Sequence, residues 1–130
     1  MKIIRLGNNK GFTLLEILIA ITVFSVGLLG MATLTAVIIR GNLASEKLTT
    51  ATTLAQDQVE KIIGVGYSGT PTSDTTTTED YNSITNYSSY KRVTFTQVDN
   101  PAEGMKKITI SVYWDSDAHS VVLRTILVPK

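Results

Sequence analysis

The sequence predicts an α+β chain in which one long N-terminal helix packs, by its second half, on a small antiparallel sheet. Three observations carry that prediction. An apolar stretch, Phe12–Ile39, contains a single charge, Glu16. A stripe of apolar positions at Ala44, Leu48, Ala51, Ala55, Val59 and Ile62 follows, spaced 4, 3, 4, 4 and 3, which is one face of a helix. Beyond Tyr90, short alternating segments separated by turn compositions read as strands.

The chain opens with a basic segment, Met1–Gly11, holding Lys2, Arg5 and Lys10 and no acid. From Ile17 to Ile39 there are 23 consecutive uncharged residues, which as a helix span roughly 34 Å, enough for a bilayer core of about 30 Å. Cations before the span and few after it predict a cytoplasmic N-terminus. A cleaved secretory signal is one alternative, with Gly30-Met31-Ala32 as its small-x-small site, and a plain signal anchor is another. The apolar run continues past that site through Leu34, Val37, Ile38 and Ile39, as a spanning helix would. Neither alternative explains Glu16, because a carboxylate in a membrane helix is costly and marks function. A cut after Gly11 would create an α-ammonium on Phe12, the natural partner for that glutamate in its own chain or in a neighbour.

No Pro interrupts the chain before Pro71, and Gly64 and Gly66 offer a stop, so the expected helix is Phe12–Ile63, about 78 Å long. Gly64–Tyr90, rich in Thr, Ser, Gly, Asn and Tyr, reads as a long loop. Strands are expected at Lys91–Val98, with Val93 and Phe95 on one face, at Lys107–Trp114, with Ile108, Ile110, Val112 and Trp114 on one face, and at Ser120–Val128. The expected divisions are a leader at 1–11, a transmembrane arm at 12–40 and a head at 41–130. The head has no disulfide, since the chain has no Cys, so the helix must supply much of its core.

Composition bears on function as well. Twelve cations against 11 acids leave a net charge of +1, without the basic excess of a nucleic-acid binder. A single histidine, His119, and no Cys leave no activated nucleophile to nominate, so an enzyme is not expected, nor a cofactor. Asp115, Asp117 and His119 alternate in a turn, but the pattern lacks the Gly and distant Glu of a calcium loop, and no metal site is expected. Lys91, Arg92, Lys106 and Lys107 would form a basic patch if they share a sheet face.

Lys10-Gly11-Phe12-Thr13-Leu14-Leu15-Glu16, followed by the apolar helix, closely resembles the class III signal of type IV pilins and type II secretion pseudopilins. The resemblance implies a pilin fold and cleavage by a prepilin peptidase between Gly11 and Phe12. It implies N-methylation of Phe12 and an assembly role for the Glu16 carboxylate opposite a neighbouring subunit's amine. It implies partners too: the peptidase, major and other minor pilins, an inner-membrane assembly platform and, before assembly, membrane lipid, with no nucleic acid by default. The head would lie in the periplasm and then on the pilus. Phe24–Ala32 is similar to PilV-type minor pilins, and the absence of a Pro from the arm, where Thr33 stands at the usual place, favours a minor over a major pilin. A minor pseudopilin of type II secretion and an adhesin or DNA-binding pilin are the alternatives.

Overall fold

The computed structural model describes residues 11–129; the leader cations Lys2, Arg5 and Lys10 lie outside the described residues. The elements are α1 (Leu14–Gly69), β1 (Thr75–Glu79), β2 (Tyr90–Val98), β3 (Lys106–Trp114) and β4 (His119–Leu127). The chain divides into two compact units, Met1–Asn42 and Leu43–Lys130. The first contains the opening part of α1, and the second, the head, contains the rest of α1 and the whole sheet. A helix and an antiparallel sheet are what the sequence predicts; the boundaries differ in instructive ways.

The helix runs past the expected stop at Ile63. Gly64 stays helical, and the break falls at Gly66, whose φ of 76° and ψ of 177° lie outside the helical region and suit a residue without Cβ. No basic residue occupies the last turn of α1, where the carbonyl end of the helix dipole favours a cation. Lys106 of β3 supplies it. Its Nζ donates to the Tyr67 carbonyl at 2.8 Å and to the Thr70 carbonyl and Oγ1 at 3.1 Å each, and it sits 4.2 Å from the centroid of the Tyr67 ring. The side chain is buried.

The sheet is a four-stranded antiparallel meander in the order β1-β2-β3-β4. Ile108, Ile110, Val112 and Trp114 of β3 pack on Ala51, Leu54 and Ala55 of α1, with Tyr90 closing one end. Ala51 and Ala55 are fully buried. Four of the six positions of the predicted stripe, Ala51, Ala55, Val59 and Ile62, face this core, Val59 and Ile62 half-buried. Ala44 and Leu48 are exposed, because the sheet ends beside Lys47: Tyr90 donates its hydroxyl to the Lys47 carbonyl at 3.4 Å, and the Lys47 ammonium pairs with Asp115 at 2.6 Å. Leu54, on the flank of that stripe, is the residue that becomes core.

The faces of β2 are also reassigned. Arg92 stands opposite Val112, Thr94 opposite Ile110 and Thr96 opposite Ile108, so the even positions share the helix-facing side with the β3 core. Val93 and Phe95 fall on the outer face. The buried polar groups of β2 are satisfied: Arg92 pairs with Glu79 at 2.6 Å and donates from Nη1 to the Leu54 carbonyl at 3.0 Å. Glu79 belongs to β1, a strand lying inside the segment 64–90 that composition assigns to a loop. Its four threonines are β-branched and suit a strand, and β1 pairs with β2 through the register Thr75↔Thr96 to Glu79↔Arg92. An edge strand with no apolar residue gives no hydrophobic alternation to detect.

Lys106 and Arg92 therefore do not contribute to a basic patch with Lys107 and Lys91. The first two point to the helix, the last two to the outer face, and strand parity forbids anything else. Replacing Lys106 by Ala leaves the acceptors of Tyr67 and Thr70 without their donor, and the expected loss is about 1–3 kcal/mol. Lys107→Ala on the other face is expected to change stability by no more than about 0.5 kcal/mol. Urea unfolding of the head, Leu43 onward, followed by circular dichroism, compares the two.

The hydrogen bond from Arg92, aided by its charge, holds the Glu79 carboxyl below the usual carboxylate range against a partial opposing effect of burial. A carboxyl with a depressed folded value stabilises the fold above its unfolded value, about 4.3 for Glu, and loses that contribution as pH falls through the folded value. The urea midpoint of the head is expected to fall between pH 5 and pH 3. Glu79→Gln should lower the midpoint at pH 7 and flatten that fall; an unchanged slope would show that the pair is not what acid disrupts.

Candidate processing and assembly site

The three residues singled out by the sequence, Gly11, Phe12 and Glu16, lie at the start of α1. Gly11, Phe12 and Thr13 are not helical, and the helix begins at Leu14. Thr13 occupies the N-cap. Its carbonyl accepts the first helical hydrogen bond, from the Ile17 N–H at 3.2 Å, and its Oγ1 accepts the Glu16 N–H at 3.2 Å. Thr followed three positions later by Glu is the sequence signature of a capping box. The spacing is present in the sequence, and the Thr13 hydroxyl serves as a cap where the arm's other hydroxyls bond carbonyls four residues back. Glu16 is the only acid in the first turn, where the amide end of the helix dipole favours negative charge. Among the described residues its carboxylate forms no ion pair.

Behind this N-terminus the arm is apolar on every side. Leu15, Phe24, Val26, Leu29 and Met31 are each about two-thirds exposed or more, and no residue of 11–42 is buried. Among the described residues, one helix is long and apolar enough to cross a membrane. Leaving such side chains in water costs on the order of 1.5–3 kcal/mol apiece. Summed along the arm, that exceeds the stability of an ordinary domain, about 5–15 kcal/mol, so the arm requires an apolar surrounding. Its own polar groups are already satisfied. Thr22, Ser25, Thr33 and Thr35 donate their hydroxyls to the carbonyls of Leu18, Ile21, Leu29 and Met31, four residues back, at 2.7–3.0 Å. Gly27 and Gly30, the weakest helix formers of the arm, remain helical.

The alternating Asp115, Asp117 and His119 of the head lie at the β3–β4 turn, and each is engaged. Asp115 pairs with Lys47. Asp117 pairs with Lys91, and the Tyr81 hydroxyl donates to its carboxylate at 2.9 Å while accepting its N–H at 3.0 Å. The Lys91 and Tyr81 hydrogen bonds hold the Asp117 carboxyl below the usual carboxylate range. His119 stacks on Trp114 with ring centroids 5.6 Å apart. These contacts fasten the 80–90 turns and the hairpin to the helix, a structural task that uses up the carboxylates. Asp115, Ser116 and Asp117 all have positive φ, and Asp is among the non-glycine residues that tolerate it best.

Residues 6–32 match the family described as the prokaryotic N-terminal methylation motif. No curated protein and no solved structure matches the chain. The matched segment spans Gly11, Phe12 and Glu16 together with the first turns of the apolar arm. That motif stands at the start of a long helix whose second half packs on a four-stranded antiparallel sheet, and in both respects the chain is similar to type IV pilins and pseudopilins.

Proposed function

We propose that the chain is a minor pilin of a bacterial type IV pilus, similar to the PilV type. A prepilin peptidase cuts between Gly11 and Phe12, and the new amine of Phe12 is methylated. Residues 12–40 hold the subunit in the inner membrane with the N-terminus cytoplasmic and the head, 41–130, periplasmic. An assembly platform then draws it into the filament, or into the complex that primes it, beside major and other minor pilins. The observation that carries this reading is the methylation motif, continuous with a helix that is apolar on all sides. A helix of that kind suits lipid first and the packed interior of a filament later, since both present apolar surroundings.

Glu16 has a physical task in this scheme. After the cut, the ammonium of Phe12 stands next to the cap, at the positive end of the helix dipole, where a cation is disfavoured. A carboxylate from the same chain or a neighbour compensates it, and in low dielectric the compensation is strong and distance-dependent.

Co-expression with a prepilin peptidase should yield a chain whose N-terminal mass corresponds to N-methyl-Phe12, and Gly11→Val should block the cut. A mature N-terminus at Thr33, the secretory-signal alternative, would overturn the reading. Glu16→Leu should still be cleaved and still reach the membrane, yet be depleted from sheared filaments or fail to prime them. Removing one partner of a buried pair costs about 3–5 kcal/mol. The quantity to measure is the ratio of this protein to major pilin in sheared fractions at matched membrane levels. Recovery with a secretion pseudopilus instead of surface pili would assign the same chemistry to the type II machine.

A further inference from the structure

The geometry points to Thr13 as a positioning residue for the cleavage: its hydroxyl fixes where α1 begins and so keeps the Gly11–Phe12 bond in non-helical, accessible backbone. This rests on the proposed cut between Gly11 and Phe12 and names what makes that bond available.

A peptide bond inside a helix has its carbonyl engaged and its backbone coiled, and proteolysis requires that backbone to open. In this chain the bond to be cut lies just outside the helix. Gly11, Phe12 and Thr13 are non-helical, Leu14 is the first helical residue, and the Thr13 hydroxyl accepts the Glu16 N–H at 3.2 Å. The other hydroxyls of the arm act in the opposite sense. Thr22, Ser25, Thr33 and Thr35 donate to carbonyls within the helix, so Thr13 is the one whose oxygen terminates it.

The sequence upstream explains why a terminator is needed. The nearest preceding side chains able to cap a helix are Asn8 and Asn9, and Asn is as good an N-cap as any residue. A helix started from Asn9 would take Lys10, Gly11 and Phe12 into its first turn and enclose the bond. Thr13 competes with that start. Its γ-oxygen, and not its shape, decides the outcome. The Glu16 side chain is not required, because the cap is made to the Glu16 backbone.

The test uses the full-length precursor in detergent with a purified prepilin peptidase, reading initial rates of conversion by mass. Thr13→Val, isosteric but without the hydroxyl, is expected to be cut about fivefold more slowly, the factor that loss of one N-cap represents. Thr13→Ser and Thr13→Asn, which restore a capping oxygen on different shapes, should be cut at close to the wild-type rate. Thr13→Val combined with Asn8→Ala and Asn9→Ala should regain most of the rate, because the competing start is gone, while the two Asn changes alone leave it unaltered. Equal rates for wild type and Thr13→Val would overturn the inference and leave the proposed cut intact. Rescue by Ser but not by Asn would overturn it too, by showing that the enzyme reads the hydroxyl directly. A wild-type precursor that is not cut between Gly11 and Phe12 would remove the reading beneath it.

Discussion

A helix that is apolar all round must hide every polar group it owns, and the rest of the chain follows from that constraint. Backbone amides and carbonyls in a lipid-like surrounding have no water to turn to, so only an unbroken helix is admissible there. The arm has no Pro, stays helical through its glycines and folds its hydroxyls back onto its own carbonyls. What remains unspent is gathered at the N-terminus, where the free amides of the first turn meet the Thr13 oxygen and the charge of Glu16. The polar chemistry of the arm thus stands at one end because the apolar stretch cannot hold it elsewhere.

The head faces the converse problem. It has no disulfide to stiffen it and few strands with which to build a core. β3 supplies the fully buried apolar face, Val121, Leu123 and Leu127 of β4 extend it, and α1 meets it with Ala51, Leu54 and Ala55. β2 contributes Arg92, Thr94 and Thr96 to the same interior, which is tolerable because no buried side-chain polar atom among the described residues lacks a partner. Two buried cations, Arg92 and Lys106, reach helix carbonyls from the sheet and make the contact directional as well as greasy. Removing either leaves a specific gap, whereas an apolar substitution could be absorbed by repacking.

Much of this was legible in the residues. Phe12–Ile39 announced a membrane-type helix by composition, and Ile108 to Trp114 announced a strand by alternation. Gly11, Phe12 and Glu16 fall within the segment that matches the methylation motif. The parts that were not legible share a cause: they depend on register. Whether Arg92 or Val93 faces the helix is decided by pairing with β3, and hydrophobicity alone favours the wrong residue. Adjacency in the sequence groups Lys106 with Lys107 as surface cations, and strand parity separates them. β1 carried no apolar signal, only β-branching. Thr13 is readable as a cap through its spacing to Glu16, a weaker signal than the lone charge of Glu16 in an apolar stretch.

The two free edges of the sheet are unlike each other. β1 is five residues long, wholly polar and flanked by Asp74 and Asp80, the short and charged kind of border that resists addition of another strand. β4 is nine residues long, carries Val122 and Ile126 exposed on its outer face, and is stopped only by Pro129 beyond its end. The sheet therefore has a polarity of its own, closed to growth on one side and open on the other. For anyone concentrating the isolated head, colloidal behaviour will be governed by a single strand, and a Lys placed outward in the middle of β4 is the place to begin improving it.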